Sequence, residues 1–380
     1  MTRRGNELDR SDFFGDLFGT ILPSKISSSQ SSASADSSLY PDNQAVLRTN
    51  DHWRSNRRRV ADTMSPSFLN NIASHFVYTN AMDLVDLWIE KARLAKGHTF
   101  EVWKDVQMCT VDTIWAVSFG GPIDACKSQA EFLRSQKECD LPLDENSIAS
   151  LPAVSPPDSY NALSLLAKSS EIPMNSPLGR KAHWLAIRFV PQYRKALALR
   201  DRLIDDMIQA AAKRMGGDKL KKVRAQSAVD HVVQREAALA EREHRRPLFN
   251  SPDVSSELGG FLQAGFETTA STLSWGLKYL TGRQDVQTKL KDELKGAFGV
   301  GRGVPEAEAI AKTSLPYLDA FIEEVLRHSG TVSANIRIAT QDTQILGHVI
   351  PKGTNVFLMV SETVRWRIEL TSVELRTKLS

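Results

Sequence analysis

The chain has 380 residues, of which 41% are hydrophobic and 24% charged, and these proportions are typical of a folded globular protein. The 48 Lys and Arg residues against 45 Asp and Glu residues give a formal net charge of +3, which is too balanced to favour nucleic acid as a partner. The three cysteines, Cys109, Cys126 and Cys139, are odd in number and lack metal-binding spacing. They therefore indicate buried thiols in a reducing compartment rather than a disulfide scaffold or a metal site.

The amino-terminal segment, residues 1–40, is predicted to be flexible. Its serine-rich run at 24–38 has too little apolar surface to offset the entropy lost on ordering. No stretch of the chain reaches the roughly 18–20 apolar residues needed to cross a bilayer, and no apolar signal region follows the first charges. We therefore expect a cytoplasmic chain without a transmembrane anchor.

A helical pattern begins after this segment. Apolar residues recur every three or four positions over 72–95 and 101–119, and Gly120-Gly121-Pro122 ends the second of these helices. Residues 140–180 are rich in Pro and Ser and are predicted to form a linker between helical blocks. A long amphipathic helix is predicted over 191–215.

The most apolar helix is predicted from Pro252 to about Thr281, with Ser251 as its N-cap. Its central place in the chain predicts burial on all sides. A further helix follows Leu315-Pro316, and short alternating runs at 336–339, 344–346 and 356–360 predict a small sheet, with a turn at Pro351-Lys352-Gly353. The predicted fold class is mainly α with a small β region.

The run Ala264-Gly265-Phe266-Glu267-Thr268-Thr269 lies in the middle of the apolar helix. Small side chains at 264 and 265 let a flat cofactor or another backbone approach closely. A threonine inside a helix can donate to the carbonyl four residues earlier, and a neighbouring glutamate can pass protons to that point. The alternative is a helix-packing patch with an incidental Glu-Thr pair.

Glu324 and Arg327 are three residues apart on the predicted helix after Pro316, so they can form a bidentate ion pair. Exposed pairs of this kind stabilise proteins little. The apolar neighbours Phe321, Ile322 and Val325 predict a mostly buried helix instead, in which the arginine must be fully hydrogen-bonded.

Trp53 and Arg57 are four residues apart, which places an indole and a guanidinium on one helix face. Arg337 lies ten residues after Arg327, at the start of the predicted sheet. A guanidinium such as that of Arg57 stays charged and can bind a carboxylate with two hydrogen bonds. An exposed basic helix is the alternative for the first pair.

In this order and spacing, the four features resemble the motifs of cytochrome P450 monooxygenases over roughly residues 40–360. The resemblance implies the P450 fold, with proton delivery by Glu267 and Thr268 and a structural role for the pair Glu324 and Arg327. It also implies a set of haem-contacting residues: Trp53, Arg57, Ala264, Gly265 and Arg337. The implied activity is haem-dependent oxidation of a small apolar molecule. Because the pattern is fungal-like, the resemblance implies a place in secondary metabolism. NADPH-cytochrome P450 reductase would be the partner, usually on the cytosolic face of the endoplasmic reticulum.

The resemblance fails near residue 360. No cysteine follows Cys139, and residues 361–380 lack the Phe-x-x-Gly-x-Arg-x-Cys-x-Gly loop that holds the haem iron in the family. The predicted organisation is therefore a flexible segment at 1–40, a partial P450 domain at 41–360 and an aberrant tail at 361–380. This predicts a truncated chain without an iron ligand, inactive as given. The alternative is a non-catalytic helical remnant that acts as a binding or interaction protein.

Overall fold

A computed structural model describes residues 8–10, 50–137, 141–144, 147–173, 175–215, 225–299, 303–332 and 334–359. The chain divides into two units, one from Asp16 to Ala270 and one that combines Met1–Gly15 with Ser271–Ser380. The described helices are α1 Asp51–Val60, α2 Ser74–Ala95, α3 Trp103–Phe119, α4 Ala125–Ser135, α5 Asp158–Ser169, α6 Arg180–Phe189, α7 Pro191–Met215, α8 Ala228–Arg242, α9 Pro252–Thr281, α10 Gln284–Phe298, α11 Ala307–Lys312 and α12 Pro316–His328. The described strands are β1 Leu8–Arg10, β2 Ala334–Ala339, β3 Thr343–Ile345, β4 His348–Ile350 and β5 Asn355–Met359.

Local signals fix several helix ends. The Asn50 side chain accepts a hydrogen bond from the Trp53 amide at 2.8 Å and starts α1. Ser251 accepts from the Val254 amide at 3.3 Å, which confirms it as the cap of α9. Gly120 ends α3 with a φ of 79°, a conformation that glycine adopts without strain.

The core of the first unit is built around α3, which is buried on nearly all sides. Helices α2 and α4 pack on each other and both contact α3, while α8 contacts α3, α7 and α1. The largest fully buried side chains of this unit are Leu87, Leu94, Leu133, Leu166, Ile204, Ile208, Met215, Leu258 and Leu262. This core holds the amino-terminal two thirds of α9 in place.

A buried carboxylate joins α3 to the start of α4. Asp112 accepts hydrogen bonds from the amides of Ala125 and Cys126, at 3.0 and 2.9 Å. Burial raises the pKa of Asp112 to about 6, against the lowering effect of these two amides. The side chain therefore caps a helix from which it is separated by 13 residues.

The predicted linker over 140–180 is wrong for part of its length, because α5 lies within it. Pro157 precedes the helix, and Tyr160, Leu163, Leu166 and Ala167 form its buried face. Their spacing of three and four residues is helical, but the surrounding Pro and Ser residues hide it in the sequence.

In the second unit, β1, β2 and β5 form an antiparallel sheet in that order, and β3 pairs with β4. The three predicted strand runs are confirmed to within two residues, and the predicted turn at Pro351-Lys352-Gly353 is confirmed by the hydrogen bond from the Thr354 amide to the Pro351 carbonyl oxygen at 3.2 Å. Strand β1 lies in the segment predicted to be flexible, so the structure differs from that prediction at Leu8–Arg10. The serine-rich run and the tail lie outside the described residues.

Glu293 of α10 accepts hydrogen bonds from the amides of Tyr317 and Leu318 and so caps α12. Within the described part of the chain, no helix is long and apolar enough to cross a membrane.

Candidate functional site

Helix α9 has one buried side and one open side. Its buried apolar side chains recur every four residues: Val254, Leu258, Leu262, Phe266 and Ala270. Ala264, Thr268 and Thr269 are exposed. The prediction of burial on all sides is therefore wrong for the described residues, since the packed helices cover one face and leave the motif residues open.

The hydroxyl of Thr268 is held by its own helix. Its Oγ1 donates to the carbonyl oxygen of Ala264 at 2.7 Å, which confirms the bond predicted from the sequence. Because that carbonyl lies one turn earlier on the same open face, the hydroxyl and the Ala264 methyl group lie side by side. A flat group on this face would meet a small side chain next to a fixed hydroxyl.

Glu267 is half-buried beside Thr268. Burial raises the pKa of Glu267 above its usual value, the negative charge of Glu171 raises it further, and Lys168 lowers it. A carboxyl group with a raised pKa exchanges protons closer to neutral pH, which suits a proton donor and acceptor. Lys168 and Glu171 lie at the end of α5 and just beyond it, so sequence spacing alone gave no sign of them.

Gly265 faces α3 at the position where a side chain would begin. A Cβ built there would lie 2.5 Å from Cδ1 and 2.6 Å from Cγ1 of Ile114. The glycine therefore allows α9 to pack closely on α3. Close approach of another element was one of the two interpretations that the sequence allowed for Gly265. A role of Gly265 beside a cofactor stays a prediction.

Trp53 and Arg57 share one face of α1, as predicted. The Arg57 guanidinium carbon lies 5.9 Å from the centre of the Trp53 ring, within range of a cation–π contact. Trp53 is half-buried and Arg57 is exposed. The guanidinium is thus held near an aromatic ring while remaining accessible to an anion.

The ion pair of Glu324 and Arg327 forms, with Arg327 Nε 2.7 Å from Glu324 Oε2 and Nη2 2.5 Å from Oε1. These hydrogen bonds lower the pKa of Glu324 to about 2. The predicted buried environment is wrong, because the two side chains are 57% and 36% exposed and Val325 is the buried residue among the described side chains of α12. The apolar neighbours Ile322 and Leu326 are exposed as well.

Arg337 lies on β2 and is half-buried. In the antiparallel pairing of the strands, Arg337 lies opposite Val356 on β5 and opposite Arg10 on β1. The predicted place of Arg337 in the small sheet is confirmed, and it belongs to the second unit, whereas Trp53 and Arg57 belong to the first.

The open face of α9 offers a small apolar surface and Arg57 offers an accessible cation, which are the kinds of group that suit the ring and the carboxylates of a haem, but the cysteines among the described residues do not supply a thiolate. Cys109 and Cys126 are buried in the core. Their sulfur atoms lie 3.5 Å from the Asn80 carbonyl oxygen and 3.6 Å from the Asp105 carbonyl oxygen. Neither thiol is accessible to an iron, and no group of three or more metal-binding side chains occurs among the described residues.

The first unit packs a helical core against one side of α9, which carries the sequence Ala-Gly-x-Glu-Thr-Thr with Ala264, Thr268 and Thr269 exposed. A Glu-x-x-Arg helix and a small sheet follow along the chain, and these features together define a P450-like protein. The sequence matches the family described as Cytochrome P450 over residues 23–365. It is 34% identical over 366 residues to Cytochrome P450 monooxygenase GME11363 of Pestalotiopsis microspora, covering 95% of this chain and 60% of that protein. The chain belongs to the cytochrome P450 family.

Two further comparisons agree with this assignment. Cytochrome P450 monooxygenase TRI13 of Fusarium sporotrichioides is 32% identical over 346 residues, which are 86% of this chain and 58% of that protein. A solved structure, retinoic acid-bound cyanobacterial CYP120A1, matches with a TM-score of 0.55 at 18% identity and covers 86% of this chain and 60% of that one. This likeness shows the P450 fold, and the chain spans about 60% of the length of the relatives it matches.

Proposed function

We propose that this chain forms part of the haem site of a monooxygenase, namely the face on which oxygen binds and one edge. The enzyme would oxidise a small apolar molecule, with haem as cofactor and NADPH-cytochrome P450 reductase as electron donor. The observation that carries the proposal is the hydrogen bond from Thr268 to Ala264 on the open face of α9, with Glu267 next to it. Family membership and the fungal relatives support it, and they are the basis for proposing secondary metabolism.

The open face of α9 would bind the flat side of the cofactor and handle protons. The side chain of Ala264 is only a methyl group, so it leaves room on this face of α9 for a ring system. Thr268 holds a proton at Oγ1, and Glu267 exchanges protons with the solvent and replaces the one that Oγ1 gives up. The raised pKa of Glu267 keeps this exchange available nearer to neutral pH.

Arg57 would bind a haem carboxylate, since a guanidinium offers two parallel hydrogen bonds to such a group. Trp53 holds the guanidinium at one side through the ring contact. Arg337, on the sheet of the second unit, is proposed for the second carboxylate on the basis of family resemblance. Glu324 and Arg327 are proposed as a structural pair.

A bound haem with a thiolate ligand supplies oxygen activation, and the protein contributes binding, orientation and proton delivery. The three cysteines of the printed sequence are Cys109, Cys126 and Cys139, and the first two are buried core thiols. We therefore expect the reduced 380-residue chain, treated with carbon monoxide, to lack the red-shifted Soret band of thiolate-ligated haem. Such a band at one haem per chain would contradict the proposed absence of an iron ligand.

The proton-delivery role is tested in the haem-loaded protein as the gene expresses it, with reductase and NADPH. The ratio of oxygenated product to NADPH consumed should fall in Thr268→Ala, because the hydroxyl that holds the proton is lost. Thr269→Ala is the matched control, since it removes an exposed neighbouring hydroxyl from the same helix turn. Equal ratios in both variants would contradict the role of Thr268. A protein that binds the apolar molecule without reductase-dependent product would support the binding-protein alternative.

A further inference from the structure

Arg59 connects α1 to two other helices of the first unit. Its Nη1 lies 2.9 Å from Oδ2 of Asp253, at the start of α9, and its Nε lies 3.8 Å from Oε2 of Glu236 on α8. The side chain of Arg59 is 13% exposed and that of Glu236 is 2% exposed. These are buried charges, unlike the exposed pair that Arg54 and Asp51 form on the same helix.

Both carboxylates have further partners that hold them in place. Asp253 Oδ1 lies 3.0 Å from Nε2 of His52, which is about two turns before Arg59 on α1. Glu236 Oε1 accepts from Arg245 Nη1 at 2.6 Å and from the Leu248 amide at 2.9 Å. The partners of Arg59 are therefore fixed by contacts that do not involve Arg59.

A second ion pair joins the short 3-10 helix that directly follows α1, Ala61–Met64, to α8. Arg235 donates from Nε and Nη2 to the two carboxylate oxygens of Asp62, at 2.5 and 2.7 Å. Such a fork is geometrically specific because both hydrogen bonds must lie in one plane. The contact of Arg59 with Glu236 therefore holds α1 to α8, and the fork holds the turn that follows α1 to the same helix.

The position of α1 depends on polar contacts because α1 buries little apolar surface. Asn56 is its fully buried residue, and it accepts a hydrogen bond from Arg59 at 2.5 Å. Apolar packing is non-directional and would tolerate rotation of the helix about its axis. Hydrogen bonds to fixed carboxylates tolerate far less.

The rotation of α1 decides where its other side chains are directed. His52, Asn56 and Arg59 follow the spacing of one helix face, whereas Trp53 and Arg57 lie about 100° further round the axis. Fixing the first face therefore fixes the direction of the second. A small rotation of α1 would move the Arg57 guanidinium by several bond lengths relative to a rigid ligand.

We infer that Arg59, through Asp253 and Glu236, is a positioning residue that sets the rotation of α1 and so directs Trp53 and Arg57 toward the carboxylates of a bound porphyrin. The inference rests on the proposed function for the role of Trp53 and Arg57. The link between Arg59 and the orientation of α1 is independent of that role. The two parts can therefore be tested separately.

The first experiment measures hydrogen exchange of the α1 amides in the 380-residue chain. Arg59→Gln should speed exchange over 51–60 about tenfold, because the charged hydrogen bond to Asp253 and the ion pair with Glu236 that hold the helix are lost. Arg54→Gln is the matched control, since it removes the same charge from the exposed side of the same helix. The single variant Asp253→Asn and the double variant Arg59→Gln/Asp253→Asn are measured as well. The double variant should exchange no faster than whichever of Arg59→Gln and Asp253→Asn exchanges faster. Equal exchange in Arg59→Gln and Arg54→Gln would overturn the inference.

The second experiment measures binding of metal-free protoporphyrin IX by quenching of tryptophan fluorescence, which needs no iron ligand. Arg57→Gln and Arg59→Gln should each weaken binding, and the double variant should bind as weakly as Arg57→Gln alone. None of the three should differ from wild type with protoporphyrin dimethyl ester, which has no free carboxylates. Additive weakening, or equal weakening with the ester, would show a general effect on the fold and overturn the positioning role.

Failure of the wild-type chain to bind either porphyrin would contradict the proposed function. The exchange rates would then still decide whether Arg59 fixes α1. Fast exchange in Arg59→Gln together with unchanged binding of protoporphyrin IX would overturn the inference while leaving the proposed function in place.

Discussion

The two units differ in how well their apolar side chains are covered. In the first, α3 is buried on nearly all sides and α9 adds a continuous buried row to the core. In the second, large apolar side chains are exposed on α12, on strands β4 and β5, and in the turn between β3 and β4: Ile322, Leu326, Val349, Phe357 and Leu346. The open face of α9 therefore rests on a packed core, whereas Glu324, Arg327 and Arg337 lie on loosely covered elements. Equal substitutions should have unequal effects in the two units.

The largest expected contrast is between two phenylalanines. Phe266→Ala should lower the free energy of unfolding by roughly 3–5 kcal/mol, because it leaves a cavity in the core behind the open face of α9. Phe357→Ala should cost less than about 1 kcal/mol, because this side chain is 52% exposed. Urea unfolding of both variants measures the difference. Equal losses would mean that the sheet is covered as well as the core is.

A smaller effect is expected where α9 meets α3. Gly265→Ala should lower stability by roughly 1–3 kcal/mol, since the new methyl group would meet Ile114 at 2.5 Å. Ile114→Val shortens the side chain on that side, and in its background Gly265→Ala should cost less. The double-mutant cycle measures this coupling, and strict additivity would contradict close packing at Gly265.

The pH dependence of stability should reveal the buried carboxyl group on α3. The pKa of Asp112 rises from 3.8 to about 6 on folding, so the folded state binds more protons between these values. The stabilising contribution of Asp112 is therefore complete below pH 3.8 and is lost as the pH rises through about 6. Asp112→Asn should remove this loss, which is on the order of 1–3 kcal/mol. Asp86→Asn, at an exposed position on α2, is the control and should leave the profile unchanged. Identical profiles for wild type and Asp112→Asn would contradict the raised pKa.

Contacts within one helix could be predicted from the sequence, and contacts between distant segments could not. The bond from Thr268 to Ala264 and the pairing of Trp53 with Arg57 follow from four-residue spacing. The cap of Ser251 and the proline after it likewise placed the start of α9.

Long-range partners carry no such periodic signal. Arg59 and Asp253 are 194 residues apart, and the run of three arginines at 57–59 gave no sign that one of them is buried. The residues that raise and lower the pKa of Glu267 come from the region of α5, a helix whose pattern was masked by Pro and Ser. The exposure of Glu324 and Arg327 depends on what covers α12, which the apolar pattern of α12 itself does not specify.

The smallest expected effect concerns that exposed pair. Arg327→Gln should lower the free energy of unfolding of the 380-residue chain by less than about 1 kcal/mol, because solvent screens the two charges and both side chains lose entropy on pairing. Arg59→Gln breaks a largely buried pair and should cost more, since Asp253 would lose its guanidinium partner at 2.9 Å and Glu236 would lose one of its two arginines. Measured by urea unfolding at low and high salt, Arg327→Gln should approach wild type as salt rises, and Arg59→Gln should not. A large, salt-insensitive loss in Arg327→Gln would show that α12 is covered in solution and would restore the buried role predicted for this pair from the sequence.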